Sequence, residues 1–424
     1  MNQSQPSPQP QGVGTAGPPI EPAAVDLAAR AGAYRDELIA FRRDVHAHPE
    51  LGRAEFRTSG LVKARLERAG LAPRTIAGGT GLVCDILPGG AASAPAEGAD
   101  AGIAIALRAD MDALPIADTK NVPYRSTVEG RAHACGHDVH TTVVLGAGLV
   151  LAELARAGRL ARPVRLLFQP AEEIMPGGAL DMVAGGALDG VERIIAVHCD
   201  PRVEVGRIGL RTGPITSACD RLQVRLDGSG GHTARPHLTT DMVTAVARMA
   251  ADLPFALARR VDPRAGLSLV WGRIASGSAA NVIPQTGELE GTVRCLHLSA
   301  WREAPDLVHE LVDHIAATHG AKVQLTYHRG VPPVVNEATV TQLLHDAMAD
   351  RFGPHAVEDT EQSLGGEDFS WYLERVPGAL ARLGVRGPTE SVPRDLHRGD
   401  FDVDERAIGI GVELMVSTAL LAAG

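Results

Sequence analysis

The sequence predicts an α/β protein, one unit with a sheet covered by helices on both faces, interrupted by a small inserted α+β unit. Three observations predict it. Short apolar strands alternate with amphipathic helices up to about residue 215. The pattern then changes to β-α-β-β-α-β, the ferredoxin-like order. After about residue 330 the α/β character resumes and ends in a helix. Residues 23–215 and 330–424 are therefore expected to form one discontinuous unit, with 216–329 inserted and 1–22 a disordered tail.

The elements follow in order. Leu27, Tyr34, Leu38, Phe41 and Val45 recur near a 3.6-residue period, which predicts a helix over 24–48. A second helix is expected over 54–69 and a strand over 83–87. The Gly-, Ala- and Pro-rich stretch 88–102 reads as a loop. Strands are expected over 103–107, 164–168 and 194–197, with a helix through 143–154. In the insertion, strands are expected over 222–226, 267–274, 288–296 and 323–327, and helices over 241–253 and 307–319. The last helix is expected over 405–421.

Composition excludes several functions. The 424 residues carry a formal net charge of −10 and no basic run, so a nucleic-acid footprint is absent. Aromatic residues are 3% of the chain, too few for base-stacking platforms. Five cysteines at irregular spacing do not suggest a disulfide framework, and free thiols suit a reducing, cytoplasmic setting. The N-terminus lacks the apolar core of a signal peptide. No apolar run is read as the roughly 20 residues of a membrane span.

Chemistry concentrates in a few segments. His133-Ala134-Cys135-Gly136-His137-Asp138-Val139-His140 packs a thiol, three imidazoles and a carboxylate into eight residues. Cys135 and His137 are good ligands for zinc-like ions, with Gly136 letting the backbone fold around one. Asp138 and His140 are expected as supports orienting His137. Asp110 and Asp112 follow a strand and are expected at the sheet edge where α/β ligands bind. Glu172 and Glu173 follow another strand, and adjacent carboxylates repel unless a cation compensates. His198 closes the strand IIAVH, and His397 lies in a polar segment before the last helix. In the insertion, glycines precede His232, while Asn281 and Arg294 are candidates for binding a carboxylate. Singly, each segment also reads as an ordinary loop, core histidine or surface ion pair.

Together, RADMDALP, HACGHDVHTT, FQPAEE, AVHCDP, GGHTARPH, NVIP, GGEDF and LHRGDFDVDE resemble the aminoacylase/carboxypeptidase superfamily of dinuclear metallohydrolases. The nearest subgroup comprises hippurate hydrolases, auxin-conjugate hydrolases and bacterial N-acyl-amino-acid amidohydrolases. The resemblance implies a zinc-peptidase-like catalytic domain with a mixed central sheet, plus an inserted lid domain that is often the surface of a homodimer or higher homo-oligomer. It implies two divalent metal ions, zinc or manganese, held by Cys135, His137, Glu173, His198 and His397. It makes Glu172 the catalytic base and His232 a lid residue toward the reaction intermediate, in its own or a partner subunit. Asn281 and Arg294 would bind the substrate carboxylate, while Asp112, like Asp138 and His140, is expected to support the metal ligands. The implied activity is hydrolysis of N-acyl-amino acids. A dipeptidase or carboxypeptidase on the same site, and a non-catalytic metal- or ligand-binding relative, are the alternatives. Asp110 and Cys135 stand where the wider superfamily has His and a bridging Asp, a change the subgroup shares.

Overall fold

A computed structural model describes residues 26–90, 102–390 and 392–424. The tail expected to be disordered, 1–22, and most of the loop expected over 88–102 lie outside the described residues. Among those described, eight strands form one mixed sheet. Its order is Arg74–Ile76, Gly81–Ile86, Val164–Gln169, Ile105–Asp110, Ile194–Glu204, Gly378–Arg386, Ile208–Leu210 and Val357–Asp359. The four central strands, from Val164–Gln169 to Gly378–Arg386, are mutually parallel. Antiparallel strands flank them on both sides.

The central four are largely apolar because helices cover both of their faces. Helix His137–Arg156 lies on one face with nearly all its residues buried. Two glycines set how closely it packs. A Cβ at Gly146 would come 2.6 Å from Val412, and one at Gly148 would come 2.4 Å from Leu166. The final helix, Arg406–Ala423, packs beside it and shares its core. Both helices have the length and apolarity to cross a membrane, contrary to the sequence expectation. They are 94% and 67% buried within the protein, which is how core helices satisfy the same pattern.

The first predicted helix is two, Leu27–Ala33 and Arg35–Ala47, broken at Tyr34. Predicted strand 194–197 runs on to Glu204. Helix Ala338–Phe352 and the central strand Gly378–Arg386 fill the region for which the sequence indicated only α/β character.

The insertion is ferredoxin-like. Its antiparallel sheet has the order Ser268–Ser276, Thr286–Cys295, Ala218–Asp227, Lys322–Val331. Burial alternates strictly along Ala218–Asp227 and Thr286–Cys295, the signature of a one-sided sheet. Leu222, Val224, Leu226, Leu289 and Val293 pack on Met249, Leu253, Val308 and Val312 of helices Met242–Arg260 and Leu298–Thr318. The opposite face is polar, with Arg221 paired to Glu290 and Arg225 to Glu288. The two units meet where Ser217 Oγ donates to Leu364 O at 2.7 Å and Trp301 packs edge-on against Trp371.

Candidate metal centre

Parallel strands deliver their C-terminal ends to one edge of the sheet, where α/β proteins bind ligands. Strand Ile105–Asp110 leads to Asp112, Val164–Gln169 leads to Glu172 and Glu173, and Ile194–Glu204 carries His198. Gly136, at φ +87, turns the chain into the helix that starts at His137. A Cβ there would sit 2.7 Å from Cys199 Sγ, so only glycine allows the approach that places Cys135. His397 also has positive φ, and its amide is tied to Ala134 O at 2.8 Å.

These elements bring six of the expected residues together. Cys135, His137 and His198 present donor atoms within 4.8 Å of one another, as do Cys135, Glu173 and His397, and His137, Glu172 and Glu173. Cys135 Sγ lies 3.5 Å from His198 Nε2, and His397 Nε2 lies 3.4 Å from Glu173 Oε1. Both ring nitrogens of His137 and Glu173 Oε1 are buried without a hydrogen bond. Buried polar atoms that converge without partners suit a cation, and Cys, His and Glu are zinc-type donors. Burial, then Glu173 and Glu172, holds the Cys135 thiol well above its usual range. A cation at this point reverses that balance and favours the ligating thiolate.

Asp112 supports this arrangement. Its two carboxylate oxygens accept the amides of Glu172 and Glu173, each at 3.0 Å, and Oδ1 lies 3.3 Å from His137 Nδ1. Glu55 accepts the amide of Ala171 at 2.8 Å, fixing a residue at φ +54 just before Glu172. Asp138 differs from expectation. It accepts from Arg42 Nε and meets His46 Nδ1, each at 2.7 Å, and no hydrogen bond or ion pair joins its carboxylate to His137. His140 likewise serves another group. Its Nε2 accepts the Cys199 amide at 2.8 Å, so its Nδ1 carries the proton donated to Asp110 at 2.6 Å.

The site is strongly acidic. Glu172 is 6% exposed. Burial, then Glu367, Glu173, Asp368 and Asp110, pushes its carboxyl well above the usual range. Burial raises Asp368 to about 8, although Arg108 opposes the shift. Arg108 donates to Asp110 at 2.6 Å and to Asp368 at 2.9 Å, and lies 3.1 Å from Glu367. Sequence reasoning gave Arg108 and Glu367 no role, because a lone strand arginine or a loop glutamate carries no spacing signal. Arg108→Met is expected to destabilise the protein by about 3–5 kcal/mol, since it strands buried carboxylates. A urea melt checks this.

The insertion's candidates are not members of the donor groups. His232 is exposed on the short ribbon formed with Val282–Ile283, and its Nδ1 accepts the Ala234 amide at 3.0 Å. Asn281 is exposed on the same ribbon and its carbonyl accepts the Thr233 amide. Arg294 sits at the other end of the sheet, where its guanidinium donates to Leu364 O. The register pairs Arg294 with Cys219 and Thr286 with Asp227, so the two ends are roughly 27 Å apart.

The comparisons agree with this architecture. The model of Peptidase family M20/M25/M40 matches residues 106–421. An N-acetyl-L-cysteine deacetylase of Bacillus subtilis is 38% identical over 372 residues, covering 88% of this chain and 85% of that protein. Thermostable carboxypeptidase 2 of Saccharolobus solfataricus is 33% identical over 389 residues, 91% of this chain and 95% of that protein. A Rhodococcus jostii protein named as a glutamate–cysteine ligase 2-3 is 48% identical over 385 residues. The chain spans 46% of that relative's length, so its name does not carry over. Among solved structures, the YXEP protein of Bacillus subtilis, described as a dinuclear metal binding peptidase from the M20 family, superposes with a TM-score of 0.77 at 32% identity. The match covers 92% of this chain and 98% of that one. With the family model and these relatives spanning most of its length, the chain belongs to peptidase family M20/M25/M40 and is a metal-dependent amidohydrolase.

Proposed function

We propose that this protein hydrolyses the amide bond of N-acyl-amino acids, releasing a carboxylic acid and an amino acid. The observation that carries the reading is Glu172, a buried carboxyl set against the converging donors of Cys135, His137, Glu173, His198 and His397, of which His137 and Glu173 keep buried atoms without a hydrogen bond. Those five residues would hold two divalent cations, zinc or manganese. When bound, the cations supply Lewis acidity toward the acyl carbonyl and the attacking water. Glu172 takes the proton of that water and returns it to the departing amine. Asp112 keeps Glu172 and Glu173 in register through their backbone amides.

Residues 216–329 act in this reading as the lid. His232 and Asn281, exposed on the insertion and outside the donor groups, reach the site of a partner copy in a homodimer. The exposed edge strand Ser268–Ser276, with Val270 and Ile274 at 62% and 52% exposure, suits such an interface. The carboxypeptidase relative keeps a second reading in view, cleavage of peptides at the same site. A panel of N-acetyl-, N-benzoyl- and long-chain acyl-amino acids against dipeptides separates the two. N-acyl-amino acids are expected to give the higher kcat/KM, and higher values for dipeptides would reverse the assignment.

A further inference from the structure

Four arginines are buried among the described residues, and three are neutralised. Arg42 faces Asp138, Asp402 and Glu405. Arg108 faces Asp110, Glu367 and Asp368. Arg165 forms a two-pronged pair with Asp85. The fourth, Arg382, is 5% exposed and has no ion pair or hydrogen bond to any described residue. Its Nε is fully buried and without a partner. Burial pulls the guanidinium below its usual range, and Asp200 and Glu367 only partly offset this from beyond ion-pair distance. Both of those acids are already engaged, by Arg202 and by Arg108.

A buried charge without a partner is costly, so a fold that retains one usually has a counter-ion for it. The position of Arg382 indicates where that counter-ion comes from. It stands opposite His198 on neighbouring parallel strands, so both side chains leave the same face of the sheet. His198 is itself a member of the donor cluster. Arg294, the arginine that resemblance assigned to the substrate carboxylate, is occupied by Leu364 O.

We infer that Arg382 binds the free carboxylate of the substrate from the floor of the site. This rests on the hydrolysis of N-acyl-amino acids proposed above, and it narrows the substrates to amides that carry an anionic group near the scissile bond. The planar fork of arginine matches a carboxylate through two parallel hydrogen bonds, which lysine cannot reproduce.

The test compares wild type, Arg382→Met and Arg382→Lys, all full-length and metal-loaded. The substrates are an N-acetyl-amino acid and its uncharged methyl amide, both followed by acetate release. For Arg382→Met, KM for the acid is expected to rise about 10- to 100-fold. Its kcat should be little changed, and the methyl amide should react as in wild type. Arg382→Lys should recover part of the loss. A fall in kcat on both compounds at constant KM would place Arg382 at the reacting oxygen and overturn the inference. Arg382→Met should also melt no lower than wild type, because it removes an unpaired buried charge. A markedly lower Tm would reveal a structural partner and overturn it too. If wild type cleaves neither compound, the proposed activity fails on its own. Calorimetric titration with the N-acetyl-amino acid then still decides, since equal binding by wild type and Arg382→Met would sink the carboxylate role.

Discussion

Glu172→Gln is expected to lower kcat by ~10²–10⁴-fold while leaving fold and metal content unchanged. Glutamine keeps the size and shape of the side chain but cannot take a proton. The geometry explains why the loss should fall on turnover. Glu172 is placed through its backbone amide, by Asp112, so the loop survives a change at the carboxyl. Its Oε2 lies 3.9 Å from His137 Nε2, close to the donor cluster. The variant also relieves repulsion among Glu172, Glu367 and Asp368, whose carboxylates lie within 4.8 Å of one another. Its Tm is therefore expected to match or exceed that of wild type. Steady-state kinetics with metal analysis checks both statements, and a near wild-type kcat would remove Glu172 from the role of base.

His137→Ala is expected to abolish activity and metal retention together. His137 belongs to three of the five donor groups, more than any other residue, so its loss opens the centre of the cluster. Supporting residues around metals typically contribute ~10–100-fold in affinity, and a central ligand should exceed that. Chelation of wild type should reproduce the loss reversibly, with zinc or manganese restoring turnover. Chelated protein should also melt lower, because ions that bind only the folded state stabilise it by mass action. Retention of full metal and activity by His137→Ala would contradict the proposed ligand set.

Much of this was legible in the chain, for identifiable reasons. Strands such as Val164–Gln169 announce themselves because they are covered on both faces and are mostly apolar. The insertion announces itself by the strict alternation of Ala218–Asp227. Asp138 was misjudged because adjacency in sequence is not adjacency on a helix. Successive residues point about 100° apart, so Asp138 turns away from His137 toward Arg42. His140, three residues on, shares the face of His137, and its ring lies 5.4 Å away. Arg382 passed unnoticed in GALARLGVR, although a charge inside an otherwise apolar central strand was a usable signal. Asn281 and His232 show the opposite limit. Their motifs are visible in the chain, but only the folded insertion shows that both are exposed at its short ribbon and outside the donor groups.

The metal centre itself carries the proposed chemistry. Anomalous scattering from crystals of metal-loaded protein should show two peaks on the order of 3.5–4 Å apart. They are expected to lie among Cys135, His137, Glu173, His198 and His397, with Glu172 facing them and not ligating. A single peak, or metal held by a different set of residues, would contradict it.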